Sequence, residues 1–142
     1  QLDRYLMRIR IGYPSEDYEL LMLKNTHKSQ AEQTCCQADD LVKMQQAVEQ
    51  VHASDELLKY IIRLSQFTRA SNQFSHAISP RGSEAIKQAS KAWAFLHGRD
   101  YVQPDDVQAI FGAVAEHRIN PEDGLNQAHM SQVVLNSVDV FN

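Results

Sequence analysis

The run Ser79-Pro80-Arg81-Gly82-Ser83-Glu84-Ala85-Ile86-Lys87-Gln88-Ala89-Ser90-Lys91-Ala92-Trp93-Ala94-Phe95-Leu96-His97-Gly98 encodes a helix with both of its ends. Ser79 suits the N-cap, because its side-chain oxygen can accept a backbone N–H that the first turn leaves unpaired. Pro80 suits the first helical position, where its missing N–H costs nothing. Ile86, Ala89, Trp93 and Leu96 recur at helical spacing and predict a buried stripe in which Trp93 is a core anchor. Gly98, after His97, supplies the stop.

The same periodicity extends in both directions. Downstream, Tyr101 and Val102 suggest a brief extended stretch before Pro104-Asp105-Asp106 opens a helix burying Val107, Ile110, Phe111 and Val114. Asn120-Pro121-Glu122-Asp123-Gly124 breaks the chain, and Val134, Val138 and Phe141 mark one face of a weaker last helix. Upstream, a polar loop spans Ser71 to Ile78. Before it, Ser54 caps a helix with a wide stripe of Leu57, Leu58, Ile61, Ile62 and Leu64. Asp39 and Asp40 open an earlier helix with Leu41, Met44 and Val48 on one face, and Val48 to Ala53 reads as helical or extended. Residues 25–38 form a polar loop holding Cys35 and Cys36, and Ser15 caps a first helix carrying Tyr18, Leu21 and Met22.

Only the opening departs from this pattern. Met7, Ile9 and Ile11 alternate with Arg8 and Arg10, which predicts a strand ended by Gly12-Tyr13-Pro14. A lone strand has no ladder, so its sheet is expected in sequence beyond these 142 residues, and the first dozen residues are expected to be poorly anchored. The missing initial Met and the mid-domain character of the first ten residues point to a piece of a longer protein. The fold class is all-α, a helical bundle preceded by one orphan β-strand.

At 142 residues, 43% hydrophobic and 23% charged, the composition is that of an ordinary globular domain. Fourteen Lys and Arg against 18 Asp and Glu leave a net charge of −4, which argues against nucleic acid as a partner. That charge, with Asp105 and Asp106, also weighs against a DNA-binding helix-turn-helix across residues 79–117. No apolar run reaches the ~20 residues of a membrane span. The adjacent Cys35 and Cys36 cannot staple distant segments, and inert thiols in a loop are the simplest reading.

No GxxxxGK[ST], HExxH, GxSxG or paired CxxC motif occurs, and the six histidines never stand four apart, so no metal site is expected. Two arginines stand out. Arg4 lies in Gln1-Leu2-Asp3-Arg4-Tyr5, and Arg81 lies in the first turn after Ser79-Pro80. A cation at a helix start opposes the macrodipole unless an anion sits nearby; then guanidinium and free N–H groups converge on it. Chemistry alone leaves both as ordinary surface arginines.

Resemblance to a family adds to this. Leu2-Asp3-Arg4-Tyr5-Leu6-Met7-Arg8-Ile9-Arg10-Ile11-Gly12-Tyr13-Pro14 resembles the end of the ATPase core in MoxR-type AAA+ proteins. Three further stretches resemble that family's helical lid: Ser79-Pro80-Arg81-Gly82, His97-Gly98-Arg99-Asp100-Tyr101-Val102 and Pro104-Asp105-Asp106-Val107. Glu116-His117-Arg118-Ile119, and Val51 to Arg69 with Ser54-Asp55-Glu56 and Thr68-Arg69, fit the same lid. The likeness covers residues 1–23 and 41–119, and the order and spacing of the motifs carry it.

The resemblance implies three parts: residues 1–14 as the end of the core, 15–119 as the lid and 120–142 as a helical tail. It implies ATP and Mg as cofactors of the whole protein, with none held by this segment, which lacks the Walker A and Walker B segments and so is expected to be inactive alone. Arg4 would be the arginine finger acting on a neighbouring subunit's nucleotide. Arg81 would be the second sensor, with Pro80 beside it at the nucleotide-facing helix start. Both arginines would neutralise charge on the transferred phosphoryl group. The resemblance further implies a hexameric or similar ring, a von Willebrand factor A-domain partner, a chaperone-like role in remodelling or metal insertion, and a cytoplasmic location. Gln103 stands where that family more often has Thr, which predicts a frayed helix start. The rival reading is a stand-alone helical interaction module without phosphate chemistry.

Overall fold

The computed structural model describes residues 2–24, 35–121 and 129–141. A short 3-10 turn, Leu2–Arg4, precedes the helices α1 (Glu16–Leu23), α2 (Ala38–Gln50), α3 (Asp55–Ala70), α4 (Pro80–Leu96), α5 (Pro104–Ala115) and α6 (Met130–Ser137). Two short strands, β1 (Phe74–His76) and β2 (Asn120–Pro121), pair antiparallel. The all-α bundle expected from the sequence is the observed architecture.

Helices α3, α4, α5 and α6 enclose the core. Tyr60 and Leu64 from α3 meet Ile86 from α4, Val107, Phe111 and Val114 from α5, and Val134 from α6, all almost without solvent contact. The α5 stripe is buried as the periodicity predicts. On α4 the buried face is instead Ala85, Ile86, Ala89, Ser90 and Ala94, while Trp93 is 38% exposed and Leu96 74% exposed. The most extensive helix pairing of the bundle is that of α4 with α5. Apart from Ile86 the buried face of α4 is made of small residues, which leaves the large indole no place in it. Trp93 therefore sits at the edge, its ring 4.9 Å from that of His97, and is not the core anchor expected. On α2, Leu41 is exposed and no residue is fully buried.

The orphan strand does not form. Residues 7–11 have no ladder partner among the described residues, and backbone N–H and C=O groups need one to hold a strand. The segment lies instead across the end of α5, where Arg8 N–H donates to the Ala113 carbonyl at 2.8 Å and Met7 packs on the core. The expectation of poor anchoring is thus overturned for residues 3–8, while Ile11 is 97% exposed.

Of the ambiguous stretch from Val48 to Ala53, residues 48–50 close α2, and the rest meets the extended Tyr101-Val102 segment. His52 N–H donates to the Asp100 carbonyl (2.7 Å) and Val102 N–H to the His52 carbonyl (2.9 Å), making a single parallel bridge between His52 and Tyr101. Helix α4 ends in a Schellman turn at Gly98, whose φ of 70° suits glycine; Arg99 N–H reaches the Ala94 carbonyl at 3.0 Å and Gly98 N–H the Phe95 carbonyl at 2.9 Å. Arg99 then makes a bidentate pair with Asp106 at 2.6 and 2.5 Å, and Asp106 also accepts Gln103 N–H at 2.7 Å. The start of α5 is therefore pinned by Asp106 rather than frayed for want of a Thr cap. At the other end of α5, Glu116 accepts the Met130 and Ser131 N–H groups (3.1 and 3.0 Å) and caps α6.

Candidate functional site

The start of α4 is held from three directions. From α3, Thr68 Oγ1 accepts Ile78 N–H at 3.0 Å and Arg69 Nε donates to the Ile78 carbonyl at 2.8 Å. Both backbone groups of the residue before the N-cap are thereby taken. From the N-terminal turn, the Ser79 hydroxyl donates to Asp3 Oδ2 at 3.0 Å while accepting Gly82 N–H at 3.1 Å. From the end of α5, the Arg118 side chain runs against Gly82. A Cβ there would stand 2.8 Å from Ile78 Cγ2 and 3.1 Å from Arg118 Cδ, so the close approach requires glycine.

Arg118 is the centre of this joint. Its side chain is 2% exposed, and its Nε donates to Asp3 Oδ1 at 2.9 Å. Its Nη1 donates to the Leu6 carbonyl (3.1 Å) and the Val114 carbonyl, and its Nη2 to the Asp3 carbonyl (3.3 Å) and the Tyr5 carbonyl. A buried guanidinium is tolerable only with such complete satisfaction. Val114 belongs to the last turn of α5, whose carbonyls have no helical donor and carry the negative end of the dipole.

Beside it, His117 Nε2 lies 2.9 Å from Arg118 Nη1 and 3.3 Å from the Tyr5 carbonyl. Burial first, and the adjacent Arg118 charge second, lower the pKa of this imidazole, which favours the neutral ring.

Arg4 and Arg81 are both exposed, and among the described residues neither has a hydrogen-bond or ion-pair partner. The Asp3–Ser79 hydrogen bond nevertheless draws their backbones together, since Arg4 follows Asp3 and Arg81 lies two residues beyond Ser79. Pro80 occupies the first helical position and is exposed. Sequence reading singled out the two arginines and missed the tie between them. Asp3 and Arg118 stand 115 residues apart, and no local signal pairs them.

Among the described residues no group of three or more His, Cys, Asp or Glu could hold a metal ion. Cys35 and Cys36 are free and exposed, while His27 and residues 25–34 of the polar loop lie outside the described residues. Among the described residues no helix is long and apolar enough to cross a membrane.

Comparison with known proteins gives this geometry a context. The AAA lid domain family matches residues 66–136, half of the chain and all of α4, α5 and the α6 core contacts. The chain belongs to the AAA lid domain family. It is 36% identical over 99% of its length to the uncharacterized protein YeaC of Bacillus subtilis (strain 168), of which it covers 46%. It is 31% identical over 97% of its length to Chaperone MoxR1 of Mycobacterium tuberculosis, of which it covers 40%.

In three dimensions this lid domain superposes on the crystal structure of a proposed ATPase from Cytophaga hutchinsonii, with a TM-score of 0.84 at 24% identity. That match covers 97% of this chain and 47% of the other. The MoxR-type resemblance read from the sequence is borne out, as is the AAA+ lid fold. The chain spans less than half the length of each of these relatives.

Proposed function

We propose that this lid domain serves ATP hydrolysis in a MoxR-type AAA+ ring, with Arg4 as an arginine finger toward a neighbouring subunit and Arg81 as the second sensor. The observation that supports it most is the bridging of Asp3 to both Arg118 and Ser79, which locks the Arg4 turn to the start of α4. Two permanently charged forks are thereby presented on one structured joint with no internal acceptor to neutralise them. That is what recognition of a polyphosphate needs.

In the whole protein, ATP with Mg would supply the transferable phosphoryl group and a remainder of the chain its binding loop. The part of this chain is to neutralise charge in the transition state, through Arg81 and the α4 start with Pro80, and through Arg4 across an interface. A hexameric assembly, a chaperone-like or metal-insertion task, a von Willebrand factor A-domain partner and a cytoplasmic setting follow from the same reading, as does inactivity of this segment by itself.

An interaction module without phosphate chemistry is the second reading. It is favoured by an apolar groove of about 610 Å³ between α2 and α4, lined among others by Leu6, Leu41, Met44, Phe95 and Leu96.

Turnover and nucleotide affinity of Arg4→Ala and Arg81→Ala in the full-length protein separate the two. Arginine fingers are worth roughly 10³–10⁵ in rate where they act in trans, so the expected result is a large fall in kcat with near-normal ATP affinity. Arg4→Lys should not restore turnover, because a point charge cannot reproduce a planar fork. Mixing the Arg4 variant with a variant defective in its own nucleotide site should regain activity where each supplies an intact half. Near-normal turnover in both alanine variants refutes the proposal and leaves the interaction module.

A further inference from the structure

We infer that Asp3 and Arg118 are positioning residues that hold Arg4 and Arg81 in fixed register, an inference that rests on the reading of Arg4 as a finger. The argument starts from where the Arg118 donors go. Nη2 donates to the carbonyls of Asp3 and Tyr5, the residues on either side of Arg4, and Nε donates to the Asp3 carboxylate. Consecutive Cα atoms are ~3.8 Å apart, so fixing both neighbours fixes the Arg4 backbone while its own side chain stays free in solvent.

The other carboxylate oxygen of Asp3 accepts a hydrogen bond from the hydroxyl of Ser79, the N-cap of the helix that carries Arg81. One carboxylate thus links the finger turn, the second-sensor helix and the end of α5. Stability is a weak explanation for the arrangement. A buried ion pair roughly breaks even against apolar packing, whereas its directional contacts specify geometry. Its forked donors meet five separate acceptors, four from residues 3–6 and one from α5. The consequence is mechanical: α4 cannot rotate relative to residues 3–6 without breaking the Ser79–Asp3 bond. Repositioning of Arg81 is therefore coupled to repositioning of Arg4.

Asp3→Ala in the full-length protein is the test. Asp3 lies on a half-exposed turn outside the core, and because its loss unpairs the buried Arg118 charge, protection of the α4 amides is read beside turnover to establish that the bundle stays folded. Three measurements are made on Asp3→Ala, Arg4→Ala and the double variant: kcat, ATP affinity by titration, and amide exchange at Arg8. The Arg8 N–H donates to Ala113 and so reports whether the segment stays seated. A misplacement on the order of 1 Å can cost ~10²-fold in rate, so kcat should fall at least ~10-fold in Asp3→Ala, with ATP affinity changed less than ~2-fold. Exchange at Arg8 should accelerate while α4 remains protected.

In the Arg4→Ala background the Asp3 change should cost clearly less than it does alone, since the share that positions Arg4 is gone and only the share carried through Ser79 to Arg81 remains. Normal turnover in Asp3→Ala beside a slow Arg4→Ala overturns the positioning role and leaves the finger standing. A double variant slowed by the product of the two single effects shows Asp3 acting apart from Arg4, and overturns it too. Unchanged exchange at Arg8 in Asp3→Ala likewise overturns it, because the segment is then seated without the tie. Normal turnover in Arg4→Ala removes the finger and, with it, this inference.

Discussion

Trp93 stands on α4 with its ring over His97 and 38% of its surface in water, although its spacing from Ile86 and Ala89 places it on an apolar stripe. Partial burial forfeits much of the transfer free energy of an indole. Trp93→Ala is therefore expected to cost about 1–2 kcal/mol rather than the ~3–5 of a core aromatic. Urea unfolding measures it, and a loss above ~3 kcal/mol would return the ring to the core. Gly82 behaves in the opposite sense from its position. In a helix, alanine exceeds glycine by about 1 kcal/mol, but here a Cβ meets Ile78 and the Arg118 stem, which its own hydrogen bonds immobilise. Overpacking on the order of 1–3 kcal/mol should prevail, so Gly82→Ala lowers the urea midpoint; a raised midpoint would mean that Arg118 yields.

At the scale of elements, the bundle's helices are fastened mainly at their ends. Asp106 illustrates how. Burial raises its pKa, but the Arg99 fork and the Gln103 N–H more than offset that, and the net shift is downward from the ordinary 3.8. A folded-state pKa below the unfolded value contributes stability that is fully present above about pH 3.8 and is lost as the pH falls through the lower folded value. Asp106→Asn, which keeps the shape and removes the charge, should cost about 1–2 kcal/mol at neutral pH and flatten the loss of stability below pH ~4. Urea titrations at pH 7 and pH 3 on both proteins check it; parallel curves would show that the pair contributes nothing to acid sensitivity. Helix α1, by contrast, buries none of its residues.

Over the whole molecule, the joint around Arg118 decides whether the N-terminal segment belongs to the bundle. His117 makes that joint sensitive to pH. Burial first, then Arg118, then Arg8 lower its pKa, against the upward pull of the Tyr5 and Ala113 carbonyls, and the net shift is down from 6.5. The neutral ring is thus favoured in the fold, so its contribution is present above pH 6.5 and is lost as the pH falls through the lowered value. Acidification from pH 7 to 5.5 should raise amide exchange at Arg8, corrected for intrinsic rates, about several-fold in the native protein and much less in His117→Gln. Equal pH responses would exclude His117 as the cause.

Much of this protein was settled by local spacing alone. The cap Ser79, the first-turn Pro80, the stop at Gly98 and the α5 stripe of Val107, Ile110, Phe111 and Val114 are each specified within one or two turns of chain, and each appears where the sequence places it. Family membership was legible for the same reason, being carried by the order of such motifs. Tertiary structure decided what depends on two distant stretches meeting. It turned the α4 face so that Ile86 and alanines rather than Trp93 are buried, left Met7 to Ile11 without a ladder among the described residues, and joined His52 to Tyr101. It also buried Arg118 against Asp3 and Gly82. Helical periodicity reports which residues share a face but not which neighbour that face meets, and an ion pair across 115 residues leaves no mark on the spacing around either partner.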